Sequence, residues 1–278
     1  MEKYKNFLGL GIAGNFALHL DQAGEAEDFK DIITADEAAP KGMFPFFLPQ
    51  NVNNTHEKLS TYPLSTNTIQ LPNEKVNVQA EPEVGLICNI QYEDNKISKI
   101  IPLKFGAYND CSIRIAGAKK ISHKKNWGKN SKGISDTLIN IDSFSDGGIM
   151  DEYFICSYLR RNENVTAYGE NVELQGYSYF YEKLLHWIKN QINIQEDFGP
   201  LEPIMEYIKE CNYPTQAIIS IGATRYTTYG EKTFLNVGDE VIIVVYNHKN
   251  TSIKDVEKAI QTNTYDTKNM SVLAQKVI

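Results

Sequence analysis

The sequence has no long apolar run. Nothing in it approaches the ~18 consecutive apolar residues that a bilayer-crossing helix needs. It also lacks surplus basic charge: 28 Lys and Arg stand against 35 Asp and Glu, for a net charge of −7 and a pI near 5.4. A nucleic-acid binder needs a basic stripe, so that class is set aside. Cysteine is scarce and unpatterned. Cys88, Cys111, Cys156 and Cys211 show no Cys-x-x-Cys spacing and no histidine at finger spacing. Scattered thiols in a chain of this length suit a reducing compartment. The charged start, Glu2-Lys3-Tyr4-Lys5, is not followed by a secretory apolar core with a cleavage site. No internal repeat and no low-complexity tract is present. The expectation is a soluble cytoplasmic protein with no nucleic-acid or membrane partner.

What is there is an ordinary globular composition. The 278 residues are 42% hydrophobic and 23% charged, enough for a sizeable core in one large domain or in one domain with a small N-terminal piece. Residues 20–43 are acidic and alanine-rich and suit a mobile segment or a helix. Residues 44–49 form a proline-bounded apolar strand or loop, and 50–80 are polar with short strand-like pieces such as 68–71. Strand signals then dominate at 84–90, 97–103, 153–159, 218–221 and 241–246, separated by turn residues. An apolar stripe at helical spacing predicts a helix over 177–194, and a second is expected over 201–209. Residues 256–260 and the C-terminal segment are expected to add short helices. The pattern is α+β, a mixed sheet or roll with few helices. Gly9-x-Gly11-x-x-Gly14 fits a dinucleotide fingerprint in form only, because little strand precedes it and no β-α-β unit follows.

Glu81 and Glu83 stand one residue apart at the head of a strand-like run, and Asp110 follows another. In an extended chain, residues i and i+2 point to the same face. Three carboxylates meeting there would suit Mg²⁺, Mn²⁺ or Ca²⁺, with part of the shell left open. The alternative is a solvated strand face, the usual place for acidic residues. The basic run from Lys119 to Lys132 reads either as a solvated loop or as a rim that attracts anionic substrates.

The order of short motifs resembles the fumarylacetoacetate hydrolase family over most of the chain. Asn15-Phe16-Ala17-Leu18-His19 is similar to the family's Asn-Tyr-x-x-His lid segment, and Phe46-Phe47-Leu48-Pro49 to its Phe-Leu-Lys-Pro stretch. Glu81-Pro82-Glu83-Val84-Gly85 resembles its metal-binding Glu-x-Glu strand. Asn109-Asp110-Cys111-Ser112-Ile113-Arg114 resembles Asn-Asp-x-Ser-Ala-Arg. The 127–135 segment resembles the Gly-Lys-Ser-Phe lysine motif, and Tyr168-Gly169-Glu170 with Gln175 resembles an Asn-Gly-Glu-x-x-Gln turn with two extra residues. Residues 221–225 and 234–241 resemble the terminal Gly-Thr-Pro and Leu-x-x-Gly-Asp-x-Val elements.

The resemblance implies a mixed β-roll or β-sandwich, with residues 1–75 as an N-terminal segment carrying a lid helix and 76–278 as the catalytic domain, or one continuous domain. It implies a homodimer and a Mg²⁺-type cation held by Glu81, Glu83 and Asp110. The family hydrolyses, decarboxylates, tautomerises, hydrates or dehydrates oxo-acids, so the expected substrate is acylpyruvate- or oxaloacetate-like. His19 would activate water; Lys132, with Lys129 as its rival, would bind anionic oxygens. Arg114 would position the aspartate loop or a substrate carboxylate, while Thr224 and Gln175 would hold substrate. The chain departs from the pattern at Gln22, where the family has the glutamate partner of the lid histidine. Gln cannot take a proton, so it could orient His19 but not replace the carboxylate; Glu25 or Asp21 would be the residues to stand in. A relative that binds metal and ligand without catalysis is the competing expectation. His56, His123, His186 and His248 carry no ligand spacing.

Overall fold

The computed structural model describes residues 2–34, 36–49, 56–115 and 117–278. Residues 50–55, the start of the expected polar stretch, lie outside the described residues. In chain order the elements begin with β1 (Leu8–Ala13), α1 (His19–Gln22), β2 (Gly42–Phe47), α2 (Glu57–Ser60), β3 (Leu64–Ser65), β4 (Thr68–Ile69) and β5 (Asn77–Gln79). Next come β6 (Pro82–Glu93), β7 (Lys96–Asn109), β8 (Ser112–Arg114), α3 (Ser122–Lys125), β9 (Lys132–Ile134) and β10 (Ile139–Asn140). The rest are β11 (Tyr153–Arg161), β12 (Asn164–Glu173), α4 (Tyr181–Ile194), α5 (Ile204–Glu210), β13 (Gln216–Ser220), α6 (Thr228–Lys232), β14 (Glu240–Asn247), α7 (Ile253–Thr262) and β15 (Met270–Val277).

Two sheets carry the fold. The larger runs β2-β1-β13-β6-β7-β9-β3, with β10 beside β7; the smaller runs β12-β11-β14-β15-β4. β1 is parallel to β13, and the other pairs around them are antiparallel, so the sheet is mixed. Strands from the 1–75 stretch lie in both sheets, beside strands from the rest of the chain.

The main core lies between the sheets and takes alternate residues from each strand: Leu8, Leu10 and Ile12; Val84 and Leu86; Val241, Ile243 and Val245. α4 adds Leu184, Ile188 and Ile192 from its apolar stripe. On the other face of β14, Ile242, Val244 and Tyr246 pack under Val256 and Ile260 of α7. α7 starts in a capping box, in which Ser252 and Asp255 satisfy each other's backbone N–H groups.

Two expectations are corrected, and the glycine motif set aside above has a packing role. The C-terminal segment is not helical: β15 pairs with β14 from Glu240↔Lys276 to Tyr246↔Met270. Its alternation, with Leu273 and Val277 facing the main core, outweighs the helix-forming Ala, Gln and Lys at 274–276. The long helix begins at Tyr181 rather than 177, because Phe180 is extended (φ −142°). The first two glycines of Gly9-x-Gly11-x-x-Gly14 lie within a strand, where they serve packing. A Cβ on Gly9 would meet the Phe46 ring at 2.4 Å, and one on Gly11 the Phe44 ring at 2.2 Å.

Candidate metal and acid–base centre

The β6–β7 hairpin builds the centre at its open end. Pro82 pairs with Asn109, so Glu81 and Asp110 flank the last rung of the ladder. The Asp110 N–H donates to the Glu81 carbonyl (3.0 Å), and the Glu81 N–H donates to Asn109 Oδ1 (3.1 Å). Asn109 in turn donates to Gln275 Oε1 of β15 (3.0 Å), which fixes the turn to the second sheet. Glu83, two residues on from Glu81, faces the same way. Glu81, Glu83 and Asp110 each bring a carboxylate oxygen within 4.8 Å of the others, and all three are buried.

Cations surround them. The Lys125 ammonium lies 2.6 Å from Glu81 Oε2 and 2.6 Å from Asp110 Oδ2. Lys132, fully buried, pairs with Asp110 Oδ1. Arg114 lies 2.7 Å from Glu81 Oε1 and 2.7 Å from Glu25 Oε1; it also donates to Gln79 Oε1 (2.7 Å) and the Tyr226 hydroxyl (3.0 Å). Lys124 joins Glu25 (2.8 Å) to Asp28 (2.9 Å). Glu81 Oε1 and Asp110 Oδ2 have their cations at ion-pair distance but accept no aligned hydrogen bond.

The electrostatics separate the acids. Burial pushes the Glu81 carboxyl up, but Lys125 and Arg114 outweigh it and hold that carboxyl well below its ordinary value. Glu83 accepts from the Gly222 N–H (3.1 Å); burial and the nearby Asp110 push its carboxyl well up. Burial lowers His19 to about 4, against the pull of Glu81, so its imidazole is neutral at pH 7. Among the described residues its Nδ1 has no hydrogen-bond partner, and its ring leans on Tyr226 at 5.1 Å between centroids.

The other expected site residues have these places. Lys132 enters the centre, while Lys129 is exposed on the preceding loop. Arg114 orients Glu81 and Glu25; its fork is filled by protein groups. Gln22 spans the backbone of Tyr226, accepting from its N–H (2.9 Å) and donating to its carbonyl (3.1 Å). Asp21 is exposed, whereas Glu25 is buried in the Arg114–Lys124 network. Thr224 is buried and donates to the Pro82 carbonyl (3.3 Å), between the two glutamates, rather than standing free for substrate.

Gln175 stays out of the cluster, exposed on a 3-10 turn where it bonds Asp151. The expected turn at Tyr168-Gly169-Glu170 is strand. The hairpin turns at Asn162-Glu163, both left-handed (φ 50° and 69°), as a two-residue turn requires. Counting Asn-Gly-Glu-x-x-Gln from Asn162 puts Ala167 at the glutamine. The basic run is likewise no solvated rim throughout, since Lys124, Lys125 and Lys132 are buried. Lys125 and Lys124 went unmarked in the sequence. The available signal was the acids themselves: a buried trio needs counter-charge, and this run begins nine residues after Asp110.

Among the described residues the donor set is three carboxylates with no sulfur and no histidine, which fits a hard divalent cation. Among the described residues no helix is long and apolar enough to cross a membrane.

Comparison with known proteins gives the chain a family and a fold. The chain belongs to a family of unknown function (DUF5718), whose model matches residues 25–277. No curated protein matches it. Among solved structures it is similar to a protein from Yersinia pestis CO92 assigned to the fumarylacetoacetate hydrolase family, with TM-score 0.53, 14% identity, and coverage of 98% of this chain and 93% of that one. It is similar to a 5-carboxymethyl-2-hydroxymuconate delta-isomerase from Mycobacterium smegmatis (TM-score 0.53, 12% identity, 98% and 78% covered). It is also similar to a 2-keto-3-deoxyarabinonate dehydratase (TM-score 0.54, 11% identity, 98% and 73% covered). The α+β fold with its curled mixed sheet is therefore the one these proteins share.

Proposed function

We propose that this chain is a divalent-cation-dependent enzyme of the fumarylacetoacetate hydrolase type. It would act on a small acylpyruvate- or oxaloacetate-like oxo-acid by C–C hydrolysis or decarboxylation. The observation that carries the reading is the convergence of Glu81, Glu83 and Asp110 in a buried cluster, with the unpartnered Nδ1 of a neutral His19 nearby. Similar folds in proteins named as an isomerase and a dehydratase of small acids support the enzyme class.

Glu81, Glu83 and Asp110 would hold Mg²⁺, Mn²⁺ or Ca²⁺, which supplies polarisation of a 2-oxo group. The chain's own residues do the rest. Arg114 and Lys132 hold the Glu81 and Asp110 carboxylates in place through ion pairs. Thr224 and Gly222 hold the Glu-x-Glu strand from its far side. His19 Nδ1 is free to take a proton from water. Gln22 ties α1 across the site through Tyr226, so this lid excludes water while its two hydrogen bonds last. The working unit would be a homodimer, the commonest closed assembly. Light scattering tests this, and a mass near one 31.5 kDa chain speaks against it.

The test is turnover of an oxo-acid panel with added Mg²⁺ or Mn²⁺. His19→Ala should lower hydrolysis by ~10²–10⁴, the usual loss of general-base help, and leave cation binding intact. Cation binding without turnover of any panel member would replace this reading with that of a non-catalytic binding protein.

A further inference from the structure

The Lys125 ammonium stands where a cation held by the acids would have to stand. It donates to Glu81 Oε2 (2.6 Å) and Ser112 Oγ (2.7 Å) and lies at ion-pair distance, 2.6 Å, from Asp110 Oδ2. A hard divalent cation bonds carboxylate oxygens at about 2.0–2.6 Å, so one bound to these same oxygens would fall almost on the nitrogen. Two cations that close repel strongly, and most of all where water is excluded. Counter-charge is also present without a metal: Lys125 and Arg114 pair with Glu81, and Lys125 and Lys132 with Asp110. Of the three acids, only Glu83 makes no ion pair among the described residues.

We propose that Lys125 is the resident cation of this centre and an internal competitor of the divalent ion, so that metal binds only as the Lys125 ammonium leaves Glu81 and Asp110. This rests on the metal reading above and adds its regulation. The lysine is anchored for such a move. α3 is held at Ser122, whose hydroxyl and N–H donate to Glu202 (2.6 and 3.2 Å), while the side chain runs past the Phe44 ring, 5.1 Å from the ammonium. Lys132 has no such freedom. It is fully buried, with its ammonium on Asp110 Oδ1, the oxygen that Lys125 leaves alone. A loaded centre would therefore keep Lys132 and release Lys125, whose ammonium becomes free to meet an anionic ligand.

The probe is Mn²⁺ alone, titrated into the full chain and followed by calorimetry and by the spin-resonance signal of free Mn²⁺. Lys125→Met keeps the length and apolar bulk of the side chain and removes the charge. It should bind Mn²⁺ at least tenfold more tightly than the native protein. Lys125→Arg should bind no more tightly than native. Should Lys125→Met be too unstable to titrate, its melting temperature carries the same test: Mn²⁺ should raise it by several degrees more than it raises the native value. Equal, tight binding in native and Lys125→Met, within twofold, would overturn the competition and leave the metal reading standing. Absence of Mn²⁺ binding in both would overturn both.

Discussion

On β14, Val241, Ile243 and Val245 face the main core while Ile242, Val244 and Tyr246 face α7, and none of the six carries a charge. At the open end of the β6–β7 hairpin, three acids and two lysines are just as deeply buried. The first region keeps its residues inside by area alone, which any apolar side chain of similar shape supplies. The second pays desolvation for every group and recovers it only while each charge keeps its partner. A sheet core therefore degrades gradually when altered, while the acid centre fails at its weakest pair.

The sharpest way to break this contrast is Lys132→Ala. It strips Asp110 of a fully buried partner and should cost about 3–5 kcal/mol, read from denaturant unfolding. Lys132→Met should do nearly as much damage, since volume is not what is lost. A cost within about 1 kcal/mol would mean that Lys125, 2.6 Å from Asp110 Oδ2, is partner enough for that carboxylate. Ile243→Ala is the matching cut in the sheet. It should cost about 2–4 kcal/mol, and the cost should be the same with or without Mn²⁺ and between pH 5 and 8. Ile243→Val should recover most of it, which no conservative change at Lys132 should do.

Gln22→Glu lies between the two regions in kind. Gln22 both donates to and accepts from the Tyr226 backbone. A carboxylate keeps the acceptor and sets a negative oxygen against the Tyr226 carbonyl. About 1–2 kcal/mol of local stability should be lost there. Hydrogen exchange at the Tyr226 amide should quicken while α4 stays protected. This change should not restore a histidine–carboxylate pair, because the side chain at 22 is committed to Tyr226.

Much of the centre was legible in the sequence, and for physical reasons. Glu81, Glu83 and Asp110 sit at strand ends, where period-two geometry makes convergence readable. The continuous apolar run of 241–246 announces a strand buried on both faces, and the stripe of 184, 188 and 192 announces the apolar face of its helix. Lys125 was not legible. A lysine in a basic run looks the same in sequence whether it is solvated or drawn into an acid cluster three-dimensionally close by. Gln175 misled because the hairpin turn lies earlier, at Asn162-Glu163, and only the left-handed backbone there reveals it. β15 was missed because Ala274, Gln275 and Lys276 suit a helix, and the partner that overrides them, β14, is supplied by tertiary pairing.

Glu202 gives the finest test of the comparison, since it is a buried acid without a cation in contact. Its carboxylate accepts from the Ser122 hydroxyl and N–H, and burial outweighs both bonds and pushes it up to about 7. The folded state thus holds a proton that the unfolded chain gives up near the ordinary glutamate value. Between those two values the native state binds more protons, so stability must fall as pH rises, with the full contribution present only below the unfolded value. Glu202→Gln carries no proton to lose and should flatten this slope. It should be less stable than native, or equal to it, at pH 4.5 and more stable at pH 8, by on the order of 1–2 kcal/mol. Melting curves of the two proteins at pH 4.5, 6 and 8 measure the crossover. Parallel curves would mean that Glu202 is ionised and solvated in the fold, and that a buried acid here needs no partner.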